Sequence, residues 1–178
     1  MVSDFVKGKA FLDYPLPVQK GIKLHRLIDS FTDAHPVTRA AKLYLSPAVG
    51  RYSGAFLDII YDHFLATDPA RFAPGTLKVF AADTYALLNR EPDILPAGFR
   101  QTLGYMETYD WLFNYSLRAG IRRSLEGMVR RAAYLPDDAP VYARFEEHYG
   151  ELGDSYRVFF PELEAYAREQ FDLGTFVT

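Results

Sequence analysis

The sequence contains no cysteine among its 178 residues. A disulfide framework and a thiol nucleophile are therefore both excluded. The chain also lacks an apolar run long enough to span a membrane, and its first residues lack the apolar stretch of a secretion signal. These absences predict a protein of the reducing cytoplasm that has no membrane partner.

A strong excess of charge of either sign is also missing. The chain carries 20 basic and 23 acidic side chains, for a formal net charge of −3, which gives no general case for nucleic acid or an anionic membrane as partner. Apolar side chains are plentiful, since 49% of the residues are hydrophobic and Tyr, Phe and Trp number 13, 14 and 1. A chain of this length and composition can fold as one domain over residues 1–178 with a sizeable core.

The spacing of the apolar residues is helical throughout. They recur three or four positions apart, and no sustained alternation favours a sheet. Prolines mark the expected ends of helices: one helix is expected to stop at Ser46-Pro47, another to cover 141–159, and the last to begin at Pro161. The sequence therefore predicts an all-α fold, a single compact domain of seven or eight helices.

Two short motifs carry the chemistry, His25-Arg-Leu-Ile-Asp29 and Asp58-Ile-Ile-Tyr-Asp62-His63. Positions four apart lie on one face of a helix, so His25 is expected beside Asp29. In the same way Asp58 is expected beside Asp62, and His63 is the next residue around the helix. Imidazole together with carboxylates is a ligand set that suits Mn, Fe or Zn. If the two helices face each other, these side chains would form a metal site.

Each motif also has a purely structural interpretation. His25 and Asp29 could form a hydrogen-bonded pair that orients a helix, and Asp58 could cap a helix or pair with an arginine. Asp62 and His63 project about 100° apart on a helix, so one could bind a metal while the other holds a metal-binding side chain in place by a hydrogen bond. Only the motifs in combination favour a site.

A family resemblance rests on these residues and their neighbours. The segments SDFVKG at 3–8, GIKLHRLID at 21–29 and YDHFL at 61–65 resemble the acyl carrier protein phosphodiesterase (ACP hydrolase) family, and weaker echoes continue to Phe160-Pro161. The resemblance implies an HD-like helical hydrolase that uses a divalent metal, commonly Mn²⁺, with Mg²⁺ or Fe²⁺ as alternatives. The implied reaction removes 4′-phosphopantetheine from the serine of holo-acyl carrier protein and leaves the apo protein.

Two departures from the family pattern stand out. The family carries an Asn-Phe-Leu-Ala-His-type segment before its Asp-Phe-Val stretch, and that segment has no counterpart here, so the site is expected to lack a ligand or part of its wall. The His-Asp dipeptide of ordinary HD hydrolases is reversed as Asp62-His63. The ligands of HD domains therefore do not map one by one onto this chain.

Phosphodiester hydrolysis indicates roles for the candidate residues. A divalent metal lowers the pKa of water and neutralises charge on the phosphoryl oxygens, while a nearby group moves protons. Arg and Lys side chains could hold the phosphate oxygens, Arg through its bidentate fork. The predicted roles are metal ligation by His25, Asp29, Asp62 and His63, acid–base catalysis by Asp4 with Asp29 as the next candidate, and phosphate binding by Lys7 and Arg26.

Arginines concentrate on one predicted helix of the second half. They are Arg118, Arg122 and Arg123, followed by Arg130 and Arg131, and spacings of four and seven bring Arg118 and Arg122, and Arg123 and Arg130, toward common faces of the helix. Acyl carrier proteins are strongly acidic, so the first three are predicted to dock the carrier protein, although a solvated helix face would also explain them. Two other functions stay open on the sequence alone: an HD-like phosphohydrolase of a small nucleotide or phosphate ester, and a non-catalytic helical binding protein.

Overall fold

The computed structural model describes residues 2–172, and within them the chain forms nine α-helices and no strand. The helices are α1 Leu16–Ala34, α2 Pro36–Val49, α3 Ser53–Thr67, α4 Thr76–Asn89, α5 Ala97–Thr108, α6 Trp111–Asn114, α7 Arg118–Arg131, α8 Val141–Glu147 and α9 Tyr149–Asp172. Short 3-10 turns cover Val2–Phe5, Gly8–Asp13, Gly50–Tyr52 and Pro92–Ile94. The predicted all-α fold is confirmed, with a slightly larger number of helices than expected.

Helix α3 is the centre of the fold. It packs against α2, α7 and α9, and Phe56, Leu57 and Ile60 on it are completely buried. Asp58 and Asp62, one turn apart, are the exposed acidic positions on this otherwise apolar helix. The core therefore fixes α3 firmly, while one narrow acidic face of the helix remains open to solvent.

A smaller apolar cluster joins α4, α5 and α6. Its buried members are Ala81, Tyr85, Phe99, Leu103 and Met106. The ring of Phe5 packs edge-on against Phe99 with ring centroids 5.7 Å apart, which attaches the first residues of the chain to this cluster. The N-terminal segment is thus held by the second cluster while it runs past α1.

Gly120 allows α6 and α7 to approach each other closely. A Cβ atom at this position would lie 1.8 Å from the carbonyl oxygen of Asn114, which is far inside van der Waals contact. The tight connection between the two helices therefore requires glycine at position 120.

Three expected helix boundaries were wrong. Pro47 and Pro161 lie inside α2 and α9 instead of ending or starting a helix, and a break at His148 divides the helix predicted over 141–159. Pro47 is in the last turn of α2, and the carbonyl oxygen of Leu43, which the missing N–H of Pro47 leaves without its usual donor, accepts a hydrogen bond from Oγ of Ser46 at 3.2 Å instead. At Pro161 the buried Leu152, Tyr156 and Phe159 of α9 anchor the helix in the core, and this packing outweighs the missing hydrogen bond.

None of the helices formed by residues 2–172 is both long and apolar enough to cross a membrane.

A candidate metal centre in an acidic cleft

Helices α1, α3 and α9, together with the first 3-10 turn, surround a cleft of about 570 Å³. Five carboxylates line it: Asp4, Asp29, Asp33, Asp58 and Asp62. The α9 side of the cleft is apolar and consists of Phe159, Phe160 and Leu163. The open face of α3 thus meets the His25–Asp29 face of α1 across a single cleft, as the motif spacing suggested.

His25 lies at the centre of the acidic side chains contributed by α1 and the N-terminus. Its Nδ1 is 3.0 Å from Oδ2 of Asp29, and its Nε2 is 3.9 Å from Oδ1 of Asp4. The three side chains are partly open to solvent. Among residues 2–172 they are the one group of three or more whose ligand atoms come close enough to share a metal ion, all within 4.8 Å of one another.

Arg26 fixes the position of the N-terminal segment against α1. Its Nη2 donates to the carbonyl oxygen of Val6 at 2.7 Å, and its Nη1 donates to that of Gly8 at 3.0 Å. The guanidinium also lies 5.2 Å from the centroid of the Phe11 ring. Two of the five N–H donors of the guanidinium are thus used by backbone carbonyls and Arg26 does not line the cleft, so its role in phosphate binding stays a prediction. Through the segment that it anchors, Arg26 brings Asp4 near His25.

Asp58 and Asp62 hold their protons unusually tightly. Solvent reaches both carboxylates through the cleft, yet the surrounding protein removes much of their hydration. This burial, together with the negative charges of Asp29 and Asp33, raises the pKa of Asp58 to about 6. Burial and the charge of Asp58 raise the pKa of Asp62 to about 7. Both groups can therefore exchange protons near neutral pH.

Lys42 contributes a positive charge that acts on Asp58. Its Nζ donates to Oδ1 of Asp33 at 2.7 Å, and its charge partly offsets the rise in the pKa of Asp58. Sequence reasoning missed both Lys42 and the place of Asp33 in the cleft, because the two residues come from different helices. No motif in the sequence signals such a pairing.

His63 lies apart from the cleft, in the main core. It is 1% exposed, its Nδ1 is 2.6 Å from the carbonyl oxygen of Tyr115, and its Nε2 is 3.1 Å from the hydroxyl of Tyr149. Burial lowers the pKa of its imidazole. The prediction that His63 joins the metal ligands conflicts with this placement, since both ring nitrogens are engaged by protein groups and the ring packs among aromatic side chains.

The remaining predicted residues lie outside the cleft lining. Lys7 is exposed at the start of the second 3-10 turn. On α7, Arg118 pairs with Glu146 at 3.0 Å and Arg122 pairs with Glu126 at 2.7 Å. Arg123 points to a different groove, which it shares with Arg130 and Arg131. The structure thus does not place the three predicted docking arginines on one free surface.

Comparison with known proteins places the chain in a family. Residues 1–163 match the family model described as acyl carrier protein phosphodiesterase. The chain is 30% identical over 171 residues to an acyl carrier protein phosphodiesterase of Yersinia pestis, covering 96% of this chain and 89% of that protein. It is 31% identical over 165 residues to one of Photorhabdus laumondii, covering 92% and 83%. No solved structure matches the chain, so the HD-like assignment of the fold stays a prediction. The chain belongs to the acyl carrier protein phosphodiesterase family.

Proposed function

We propose that this protein is a metal-dependent phosphodiesterase that hydrolyses the bond between 4′-phosphopantetheine and the serine of holo-acyl carrier protein in the cytoplasm. The observation that carries the proposal is the cluster of Asp4, His25 and Asp29 in an open cleft, in a chain that belongs to this family. The products are the apo-carrier protein and free 4′-phosphopantetheine.

The side chains at the cleft fit a divalent metal. One imidazole nitrogen and carboxylate oxygens from two residues lie within 4.8 Å of one another, and this mixed nitrogen and oxygen set suits first-row metal ions such as Mn²⁺ and Fe²⁺. Asp4, His25 and Asp29 would hold the ion, with Mn²⁺ as the first candidate and Mg²⁺ as a further one. When bound, such an ion would neutralise negative charge on the phosphoryl group and make water a better nucleophile.

The contact between His25 and Asp29 supports two ways of holding the ion. If Nδ1 of His25 donates its proton to Asp29, Nε2 keeps a lone pair on the side of Asp4, and Asp29 acts by orienting the ring. If Asp29 binds the ion directly, all three residues are ligands. In both arrangements Asp4 and Asp29 belong to the metal centre, Asp29 either as a ligand or as the group that orients His25. The acid–base role first predicted for them is therefore left to other residues.

Asp62 is the better candidate for moving protons. A catalytic acid or base works best when its pKa is near the working pH, and the pKa of Asp62 is about 7. Its carboxylate would accept a proton from the attacking water and return it to the serine oxygen that leaves the phosphorus. Asp58, with a pKa of about 6, would hold a neighbouring negative charge that keeps Asp62 basic enough for this task.

The proposal is tested by weighing the carrier protein after reaction. Purified holo-acyl carrier protein is incubated with the enzyme and Mn²⁺, and mass spectrometry follows the loss of the phosphopantetheine mass. The expected result is complete conversion by the wild type, none after chelation of metal, and at least a hundredfold slower conversion by His25→Ala. His148→Ala is the matched control, because His148 is a partly buried histidine outside the cleft. An unchanged carrier mass with the wild type and each of the candidate metals would overturn the proposal.

A further inference from the structure

Three arginines of α7 line a groove that is separate from the acidic cleft. The groove has a volume of about 280 Å³ and is lined by Arg123, Arg130 and Arg131. The lining also includes aromatic and small polar side chains: Tyr109, Trp111, Asn114, Tyr115 and Ser124. A surface that combines arginine with Tyr and Trp has the composition typical of the energetically important part of a protein–protein interface.

The arginines of this groove lack the acidic partners that the other arginines of α7 have. Arg118 and Arg122 form ion pairs with Glu146 and Glu126. Within residues 2–172, the guanidinium groups of Arg123, Arg130 and Arg131 make no ion pair and no hydrogen bond. Three positive charges therefore border one groove without compensation from the folded chain.

The helix backbone at Gly127 brings two of these charges together. A Cβ atom on Gly127 would lie 3.5 Å from Nη1 of Arg131 and 3.7 Å from Nη2 of Arg130. Both guanidinium groups thus rest against the same residue of α7. A carboxylate placed in the groove could accept hydrogen bonds from both at once, which is the stronger, charge-assisted form of the interaction.

The charge of the groove is opposite to that of the cleft. Five carboxylates line the cleft, so an acidic protein that approaches it is repelled unless positive charge nearby compensates. A third, small apolar groove lies between the two surfaces, since it is lined by Tyr115 of the arginine groove and by Asp62 and Leu65 of the cleft. The arginine groove is therefore positioned to hold an acidic partner while part of that partner reaches the cleft.

We infer that the groove formed by Arg123, Arg130 and Arg131 is the docking site for acidic side chains on the carrier protein. The inference rests on the proposed function, since it takes the carrier protein as the partner. It replaces the docking surface predicted from sequence, in which Arg118 and Arg122 accompany Arg123, because the charges of those two arginines are already used within the protein. Attraction of this kind acts mainly by speeding encounter and by fixing orientation.

Two double variants of the same helix separate the groove from the rest of α7. The groove variant, Arg130→Gln with Arg131→Gln, removes two charges from the groove. The paired-face variant, Arg118→Gln with Arg122→Gln, removes the two arginines that form ion pairs with Glu146 and Glu126. The association rate of each full-length, metal-loaded enzyme with apo-carrier protein is measured by surface plasmon resonance at low salt. Apo-carrier has no phosphodiester, so turnover does not affect the measurement. Melting temperatures are recorded for both variants.

The groove variant is expected to associate about tenfold more slowly than the wild type, and the paired-face variant within about twofold of it. Hydrolysis of a small aryl phosphodiester, which needs only the cleft, should be the same in all three proteins. Equal association rates for the two variants would overturn the inference. A short DNA duplex serves as a control polyanion, and an equal loss of DNA and carrier binding would also overturn it, because the groove would then attract any anion.

Docking and hydrolysis can fail independently, and the two measurements distinguish these failures. If the wild type binds apo-carrier through the groove but does not convert holo-carrier, the docking site stands and the proposed reaction fails. If the wild type converts holo-carrier and the groove variant associates normally, the reaction stands and the docking site fails.

Discussion

The Nδ1 atom of His25 lies 3.0 Å from Oδ2 of Asp29, one turn further along α1. This contact fixes the direction of the imidazole ring, so that its other nitrogen faces Asp4 at 3.9 Å. A helix and a separate 3-10 turn thus bring three potential ligands together. The geometry of the candidate metal centre therefore depends on how firmly the N-terminal turn is held against α1.

Arg26→Ala should weaken the metal centre without unfolding the protein. The substitution removes the hydrogen bonds to the carbonyl oxygens of Val6 and Gly8, and Asp4 then loses its fixed position beside His25. We expect the affinity for Mn²⁺, measured by isothermal titration calorimetry, to fall about tenfold while the helical circular dichroism stays the same. Arg90→Ala, at an exposed position outside the cleft, is the control. Unchanged Mn²⁺ affinity in the Arg26 variant would show that the turn needs no such anchor.

Asp62→Asn should stabilise the metal-free protein at high pH. The pKa of Asp62 is raised from 3.8 to about 7 in the folded state, so between these values the folded protein keeps a proton that the unfolded chain releases. Linkage then requires the stability of the wild type to fall as pH rises through this range. In thermal melts in EDTA, the melting temperature of the variant should rise relative to that of the wild type between pH 4 and pH 8, because the asparagine cannot ionise. A constant difference in melting temperature across this range would contradict the raised pKa.

His63→Ala should destabilise the fold, whereas Asp62→Ala should abolish activity and leave the fold intact. The His63 side chain fills a buried site and bonds to Tyr115 and Tyr149 through its two nitrogens. Its loss creates a cavity and leaves polar groups without partners, at a cost of about 3 kcal/mol in the free energy of unfolding. Urea denaturation measures this difference. A His63 variant that is as stable as the wild type but inactive would restore His63 to the catalytic site.

Gly120→Ala should be strongly unfavourable, while Gly104→Ala should be mildly favourable. The new methyl group at 120 would lie 1.8 Å from the carbonyl oxygen of Asn114, and the forced shift of α6 should cost about 1–3 kcal/mol. A methyl group at 104, in the middle of α5, meets no atom within 4 Å, and alanine there should gain about 0.5–1 kcal/mol over glycine. Differential scanning calorimetry of the pair measures both changes; a melting temperature of the Gly120 variant equal to the wild type would disprove the close approach.

The sequence was sufficient to predict the fold class and the paired carboxylates, but not the partners that come from elsewhere in the chain. The four-residue spacing of His25 with Asp29, and of Asp58 with Asp62, determines which side chains share a helix face. The sequence did not determine which of Asp62 and His63 faces the cleft, because the residues before and after this pair on α3 are apolar and either side chain could have faced the core. The contacts of His63 with Tyr115 and Tyr149 place His63 in the core and leave Asp62 in the cleft.

Long-range contacts also decided the use of the arginines. Arg26 contacts backbone atoms 18 and 20 residues away, and the partner of Arg118 lies 28 residues further along the chain. Neither contact leaves a pattern in the sequence. An exposed basic helix and a helix whose basic residues are internally paired have the same spacing, so only the fold could distinguish Arg118 from Arg123.

If Asp4, His25 and Asp29 hold a divalent metal in the acidic cleft, an anomalous difference map from a crystal soaked in Mn²⁺ will locate the ion among them. We expect one strong peak in contact with a ring nitrogen of His25 and with carboxylate oxygens of Asp4 and Asp29. A peak elsewhere in the protein, or no peak in an enzyme that converts holo-carrier protein in the same Mn²⁺ solution, would contradict this expectation.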